Sequence, residues 1–237
     1  MTKTSKMIGY VGLGGAVLFL IGIIAATASF ENGVYSPLSC FVTELGHYAG
    51  KYLSATSALF FNIGIVAFGL TFGLQMIWRG NQNGTTLYAA IGLLGALTGV
   101  LAVAQGIFTL NYVQYHYIVV TAFYFSAVVL CVLQIAAWLR GERTERFGLG
   151  LLILVFVAAA LCFASGAFTA LGGFSQVLRE DISGAGRLLV VPFAVVGWLA
   201  MAAVWAFSLL LSLSTALTPA HAAGTKKSGK RYNDFAL

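Results

Sequence analysis

The chain has 237 residues, a mean hydropathy of +0.91, a formal net charge of +6, and only 8% charged residues. Soluble proteins have roughly a quarter of their residues charged, so this composition excludes a water-soluble domain. Apolar runs of about 20 residues or more recur and are long enough to cross a bilayer, whereas a transmembrane β-barrel would alternate in short, polar-broken segments.

The sequence therefore predicts an all-α fold, a polytopic transmembrane helical bundle. In chain order, six spans are expected at about 7–29, 52–78, 86–109, 115–139, 147–170 and 188–214. The first resembles a signal peptide, because Lys3 and Lys6 precede an apolar run. That run is about 22 residues, longer than the roughly 7–15 of a signal core, so we expect a span. The spans form one predicted domain over 1–217, followed by a tail over 218–237.

Basic residues predict the orientation, because loops on the cytoplasmic side are enriched in Lys and Arg. With the N-terminus inside, three basic residues fall outside: Lys51, Arg179 and Arg187. The other ten of the 13 fall inside: Lys3, Lys6, Arg79, Arg140, Arg143, Arg146, Lys226, Lys227, Lys230 and Arg231. We expect both termini to be cytoplasmic, in a prokaryotic inner membrane.

The connection between the first two spans contains FVTELGHYAG, in which Glu44 and His47 are three residues apart. Pro37 is a plausible start for a short surface helix running to about Gly46, which would place Glu44 and His47 on one face. His116 and Arg187 share this outer level, and Asn62 lies deeper in the second span. Together these residues form the candidate outer-face polar cluster: Glu44, His47, Asn62, His116 and Arg187.

Several interpretations of this cluster remain open. Glu44 with His47 forms a structural latch, a general acid/base pair acting on a lipid headgroup, or an ordinary hydrated loop. His47, His116 and Glu44 are possible metal ligands by type, but they lack metal-binding spacing, so no metal is predicted. Asn62 fits a hydrogen-bond clamp between helices. No catalytic residues can be named, and a non-enzymatic protein is favoured.

Glycine spacing predicts where the helices touch. Gly69-x-x-x-Gly73 and Gly95-x-x-x-Gly99 are small-xxx-small patterns that permit close approach of two helices. Gly12, Gly14 and Gly15 are expected to do the same for the first span.

The tail and the remaining composition define the expected partners. We expect Lys226, Lys227, Lys230 and Arg231 to contact an acidic surface, either anionic lipid or another membrane subunit. Nucleic acid is not an expected partner. No cofactor is predicted, because Cys40, Cys131 and Cys162 show no pairing pattern and no nucleotide or haem motif is present.

Short motifs along most of the chain carry a family resemblance. They are Thr43-Glu44-Leu45-Gly46, Phe61-Asn62 with Gly64 and Gly69, His116 before Phe123-Tyr124-Phe125, and Gly184-x-Gly186-Arg187 before Trp198. From about residue 30 to 212, the chain resembles a prokaryotic multi-span membrane family of unknown function. It is more distantly similar to the eukaryotic DRAM and GPI-anchor-remodelling membrane proteins. That family more usually has Ser where Thr43 stands, and the retained hydroxyl is expected to cap a helix.

The resemblance implies a role in lipid handling. We therefore expect a lipid-interacting membrane protein that uses the outer-face polar cluster. The alternatives are a non-enzymatic accessory subunit of a larger membrane assembly and, less favoured, a small-solute transporter. A transporter would need paired intramembrane charges or broken helices, which the sequence does not indicate.

The orientation is testable by cysteine labelling with a membrane-impermeant reagent. We expect labelling from outside at Gly33→Cys and Ser175→Cys, and none at Gln82→Cys, Arg143→Cys or Ser228→Cys, because the basic residues hold the last three sites in the cytoplasm. Outside labelling at Arg143→Cys would reverse the orientation.

Overall fold

The computed structural model describes residues 3–30, 35–47, 55–140, 148–172 and 190–217. These ranges contain six long helices: α1 (Lys3–Ala28), α2 (Ala55–Asn83), α3 (Thr86–Ile107), α4 (Val113–Leu139), α5 (Gly148–Ala170) and α6 (Pro192–Leu217). Two short 3-10 helices, Val42–Gly46 and Leu110–Tyr112, precede α2 and α4. The described residues include no strand.

All six helices are long and apolar enough to cross a membrane. Large apolar side chains point away from the bundle on every helix; Leu93 on α3 is 73% exposed and Phe156 on α5 is 67% exposed. Such continuous apolar surface requires a lipid environment. The predicted all-α bundle of six spans is confirmed, and the chain is an integral membrane protein.

The largest difference from the predicted spans is the end of the second, expected near 78. Helix α2 continues to Asn83 and stops at Gly84, whose φ of +64° is the left-handed conformation that glycine adopts at helix ends. The Thr85 hydroxyl then accepts a hydrogen bond from the Tyr88 amide at 3.3 Å and starts α3. The connection is therefore only two residues, which forces α2 and α3 to pack antiparallel.

The helices close into a ring in sequence order. Each helix packs mainly against its two neighbours in the chain, and α6 packs against α1 to complete the circle. Residues 35–47, which we call the cap segment, lie across one end of the ring, here the cap end. The opposite end, where α1 begins and α6 ends, is the termini end.

Aromatic side chains fill the ring from α1 to α6. Phe19 stacks on Phe68, with ring centroids 5.2 Å apart, and Phe68 stacks on Phe72 at 5.8 Å. Phe72 reaches Phe207 on α6, with centroids 6.4 Å apart in an edge arrangement. This aromatic core separates the polar groups at the cap end from those at the termini end.

Glycines form the α2–α3 interface, as the spacing predicted. A Cβ added at Gly69 would lie 2.5 Å from the Gly99 carbonyl oxygen, and one added at Gly92 would lie 2.9 Å from the Gly80 Cα. Of the α1 glycines, Gly12 and Gly15 face neighbouring helices. The prediction for Gly14 was wrong, because no atom lies within 4 Å of a Cβ built there.

Substitution of Gly92 tests this close approach. Gly92→Ala should lower the free energy of unfolding by about 1–3 kcal/mol, because its methyl group forces two backbones apart. Gly150→Ala on α5 is the matched control, since nothing lies within 4 Å of its added methyl. Unfolding in mixed micelles should show unchanged or slightly improved stability for the control. Equal stabilities for the two variants would contradict the interface.

Candidate functional site

The cap segment is a compact, buried structure. The Ser39 and Cys40 amides donate to the Ser36 carbonyl at 3.0 and 2.8 Å and make a turn, and the 3-10 helix Val42–Gly46 follows. All five residues of this helix are buried. The predicted surface helix from Pro37 is therefore wrong in form and position, and so is the alternative of an ordinary hydrated loop.

Donors from α2, from the start of α6 and from Tyr35 within the segment itself bind the carbonyl groups of the cap segment. Five bonds do this: Val191 N to Leu38 O (2.8 Å), Trp198 Nε1 to Cys40 O (3.0 Å), Tyr35 Oη to Phe41 O (3.0 Å), Ser57 Oγ to Leu45 O (3.3 Å) and Asn62 Nδ2 to Gly46 O (3.3 Å). Non-helical backbone at membrane depth is tolerated only where protein satisfies its polar groups. Asn62 was predicted to clamp two spanning helices; its amide instead holds the backbone of the cap segment.

Glu44 caps the 3-10 helix with its own side chain. Its Oε1 accepts a hydrogen bond from the Phe41 amide at 2.7 Å, and the residue is 6% exposed. The His47 amide donates to the Glu44 carbonyl oxygen at 3.1 Å, and His47 is the C-cap in an extended conformation with φ −93° and ψ 136°. Glu44 thus acts as a latch within the cap segment.

His116 fixes the connection between α3 and α4 beside the cap. Its Nδ1 lies 2.5 Å from the carbonyl oxygen of Phe108, the C-cap residue of α3. A carbonyl only accepts, so Nδ1 carries the proton, and Nε2 is the acceptor in the neutral ring. His47 lies close enough to His116 to interact with it electrostatically. The structure therefore brings these two predicted residues together.

Among the described residues, no three His, Cys, Asp or Glu side chains form a group that would hold a metal ion. Glu44, His47 and His116 are all described, so they do not form the metal site considered from the sequence. Arg187 and the tail residues Lys226, Lys227, Lys230 and Arg231 lie outside the described residues.

Thr43 does not cap a helix, contrary to the expectation; the N-cap position is Phe41. The Thr43 hydroxyl instead lines a cavity of about 20 Å³ below the cap, together with Ser165 and Tyr124. The Thr43 hydroxyl oxygen is buried and has no hydrogen-bond partner in the described structure, whereas the Ser165 hydroxyl lies within reach of the Tyr124 hydroxyl. The cavity has room for about one water molecule, which would satisfy Thr43.

A larger groove opens beside Asn62 on the lipid-facing side of α2 and α3. Its volume is about 550 Å³, and its lining is apolar except for Asn62: Ala55, Ala58, Leu59, Asn62, Ile63, Val66, Ala67, Leu70 and Gly106. Asn62 therefore touches both the cap segment, through Gly46, and this groove.

A second polar group at the termini end was missed by sequence reasoning. Gln75, Arg79, Gln134 and Ser212 are each 5% exposed or less. Arg79, counted from the sequence as a loop residue, lies inside α2, and its guanidinium is 5.5 Å from the ring centroid of Tyr88. The sequence did contain a signal for this group: Gln75 and Gln134 are isolated polar residues, each inside an apolar run.

No known protein family, curated protein or solved structure matches the chain.

The attachment of the cap is testable at Trp198. Trp198→Phe should lower the free energy of unfolding by about 1–3 kcal/mol, because a buried cap carbonyl loses its indole donor. Trp205→Phe is the control: its indole donates at 2.8 Å to Ala16 O, a carbonyl within the α1 ladder. Thermal unfolding in detergent should show the larger loss for Trp198→Phe. A larger loss for Trp205→Phe would contradict the role of the cap bond.

Proposed function

We propose that this protein binds a membrane lipid at its cap end, which faces outside the cytoplasm. The described members of the predicted polar cluster, Glu44, His47, Asn62 and His116, meet the headgroup. The α2–α3 groove receives an acyl chain.

Asn62 is the observation that carries this assignment. Its Nδ2 donates to the cap carbonyl of Gly46, while the same side chain is the single polar group of the groove. Its Oδ1 is buried without a hydrogen-bond partner among the described residues. A lipid whose headgroup bears a hydroxyl or ammonium donor would satisfy this acceptor, and its chain would cover the apolar lining.

The groove is compatible with a bound chain in size and chemistry. Ligand sites are typically of about 300–1,000 Å³, with a mostly apolar lining and a few placed polar groups. The groove lies within helices that span the membrane, so at this depth the surrounding medium is hydrocarbon. The adjoining cap segment supplies the Glu44 carboxylate and the His47 imidazole, and α4 supplies the neighbouring imidazole of His116, groups that suit headgroup recognition rather than chain binding.

Lipid binding in the groove is testable with a substitution that fills the groove. Ala67→Leu should reduce the lipid that remains bound after detergent extraction several-fold, because the larger side chain occupies the groove. Native mass spectrometry after reconstitution in phosphatidylethanolamine and phosphatidylglycerol measures the retained lipid. Ala160→Leu is the matched control, since Ala160 is exposed on α5 away from the groove.

Glu44→Gln tests headgroup recognition by the polar cluster separately from acyl-chain binding in the groove. The amide oxygen keeps the bond from the Phe41 amide, so the fold should persist, while loss of the charge should change which of the two lipids is retained.

Equal lipid retention by Ala67→Leu and Ala160→Leu would contradict the lipid site. A co-purifying membrane subunit in the same spectra would then favour the accessory-subunit alternative.

A further inference from the structure

The cavity of about 20 Å³ beneath the cap segment is a place where that segment meets three helices. Thr43 lines the cavity from the cap segment, Tyr124 from α4, Ser165 from α5 and Gly197 from α6. The Tyr124 hydroxyl is 3.7 Å from the position that a Cβ would take at Gly197, so its side chain reaches from α4 to α6. Any molecule held in the cavity would therefore touch several parts of the chain at once.

Hydroxyl groups determine the chemistry of this cavity. Thr43, Tyr124 and Ser165 are each 5% exposed, and each side chain ends in a hydroxyl. Thr169 also lines the cavity; its hydroxyl donates to the Ser165 carbonyl oxygen at 2.6 Å and keeps a lone pair that can accept. Cavities that stay dry have apolar walls, whereas a buried water is held by two to four polar partners. Four hydroxyl-bearing side chains in the lining favour a polar occupant.

Thr43 is the residue that most needs such an occupant. Its hydroxyl is buried and has no hydrogen-bond partner in the described structure, which lowers stability. The hydroxyls of Tyr124 and Ser165 lie within reach of each other on the other side of the cavity. Because every hydroxyl both donates and accepts, one small molecule can bond to Thr43 and to this pair together. A volume of about 20 Å³ exceeds the roughly 10–15 Å³ that a single water needs.

Aromatic rings form part of the cavity wall. Phe41 of the cap segment stacks on Phe168 of α5, with centroids 6.2 Å apart, and Phe168 stacks on Phe193 of α6 at 3.9 Å. All three residues line the cavity, and Phe193 is 43% exposed, so the stack extends from the cap segment to the lipid-facing surface. Neither these rings nor the surrounding hydrocarbon offers Thr43 a strong hydrogen-bond partner.

We propose that this cavity is a binding site for one water molecule, which bridges the cap segment to α4 and α5. The water bonds to the Thr43 hydroxyl on one side and to the Tyr124 or Ser165 hydroxyl on the other. The carbonyl bonds described above attach the cap segment to α2 and to the start of α6, and the water extends this attachment to two further helices. The site is independent of the proposed lipid site, because no residue lines both the cavity and the groove.

Amide hydrogen exchange of the full-length protein in detergent tests the bridge. The Cys40, Glu44 and His47 amides are hydrogen-bonded within the cap segment, so their exchange reports its opening. Thr43→Val and Tyr124→Phe should each speed exchange at these amides several-fold, because each removes a partner of the same water. The double variant should exchange no faster than the faster single variant, since either change alone breaks the bridge.

Thr121→Val is the matched control for the loss of a hydroxyl. The Thr121 hydroxyl is also buried without a partner among the described residues, but Thr121 does not line the cavity. The control should leave cap exchange unchanged and the unfolding midpoint unchanged or slightly higher, because it removes an unpartnered polar atom. Thr43→Val should instead lower the midpoint by about 2–4 °C, the loss expected for one hydrogen bond in a chain of this size.

A crystal structure of the parent protein grown in a lipid mesophase shows the occupant directly and does not depend on any variant folding. We expect density for one water within hydrogen-bonding distance of Thr43 Oγ1 and of the Tyr124 or Ser165 hydroxyl oxygen. A cavity without density would overturn the proposal. So would a Thr43→Val variant that matches Thr121→Val in both exchange and midpoint, or effects of Thr43→Val and Tyr124→Phe that simply add.

Discussion

The carbonyl groups of the cap segment impose the constraint on which the rest of the structure depends. Residues 35–47 are not α-helical, yet most of them are buried at the end of a bundle of membrane-spanning helices. Every buried carbonyl there must find a donor in the protein, because hydrocarbon offers none. Helices α2 and α6 supply those donors through Ser57, Asn62 and Trp198, so the positions of both helices are tied to the cap.

Different kinds of side chain occupy different depths of the ring. Glycines bring α2 and α3 into backbone contact, and phenylalanines fill the wider space between α1, α2 and α6. The middle of the ring is thus dominated by apolar packing, while the two described charged side chains that are buried, Glu44 and Arg79, lie towards opposite ends. Aromatic packing thus separates the buried polar side chains of the cap end from those of the termini end.

The two ends differ in how completely their polar groups are used. At the cap end, Glu44, Asn62 and His116 each make a bond to the backbone of a loop or a helix end, so their first role is to hold structure. Recognition of a lipid headgroup would use the acceptor capacity that remains. At the termini end, the amides of Gln75 and Gln134 stabilise little of the fold, because three of their four polar atoms have no partner in the described structure.

The sequence by itself determined the fold class and the six spans through hydropathy, and the α2–α3 contact through glycine spacing. Both span length and glycine spacing are local properties of the chain. The span boundaries also placed Glu44, His47 and His116 at one end, with Asn62 deeper in the second span. The sequence did not reveal that residues 39–46 are buried, because burial of that segment depends on donors such as Trp198, 158 residues from its partner. The inward position of Arg79 and Gln134 was likewise decided by tertiary structure: a residue near the end of a span faces water, lipid or the ring interior according to the rotation of its helix, and packing against neighbouring helices sets that rotation.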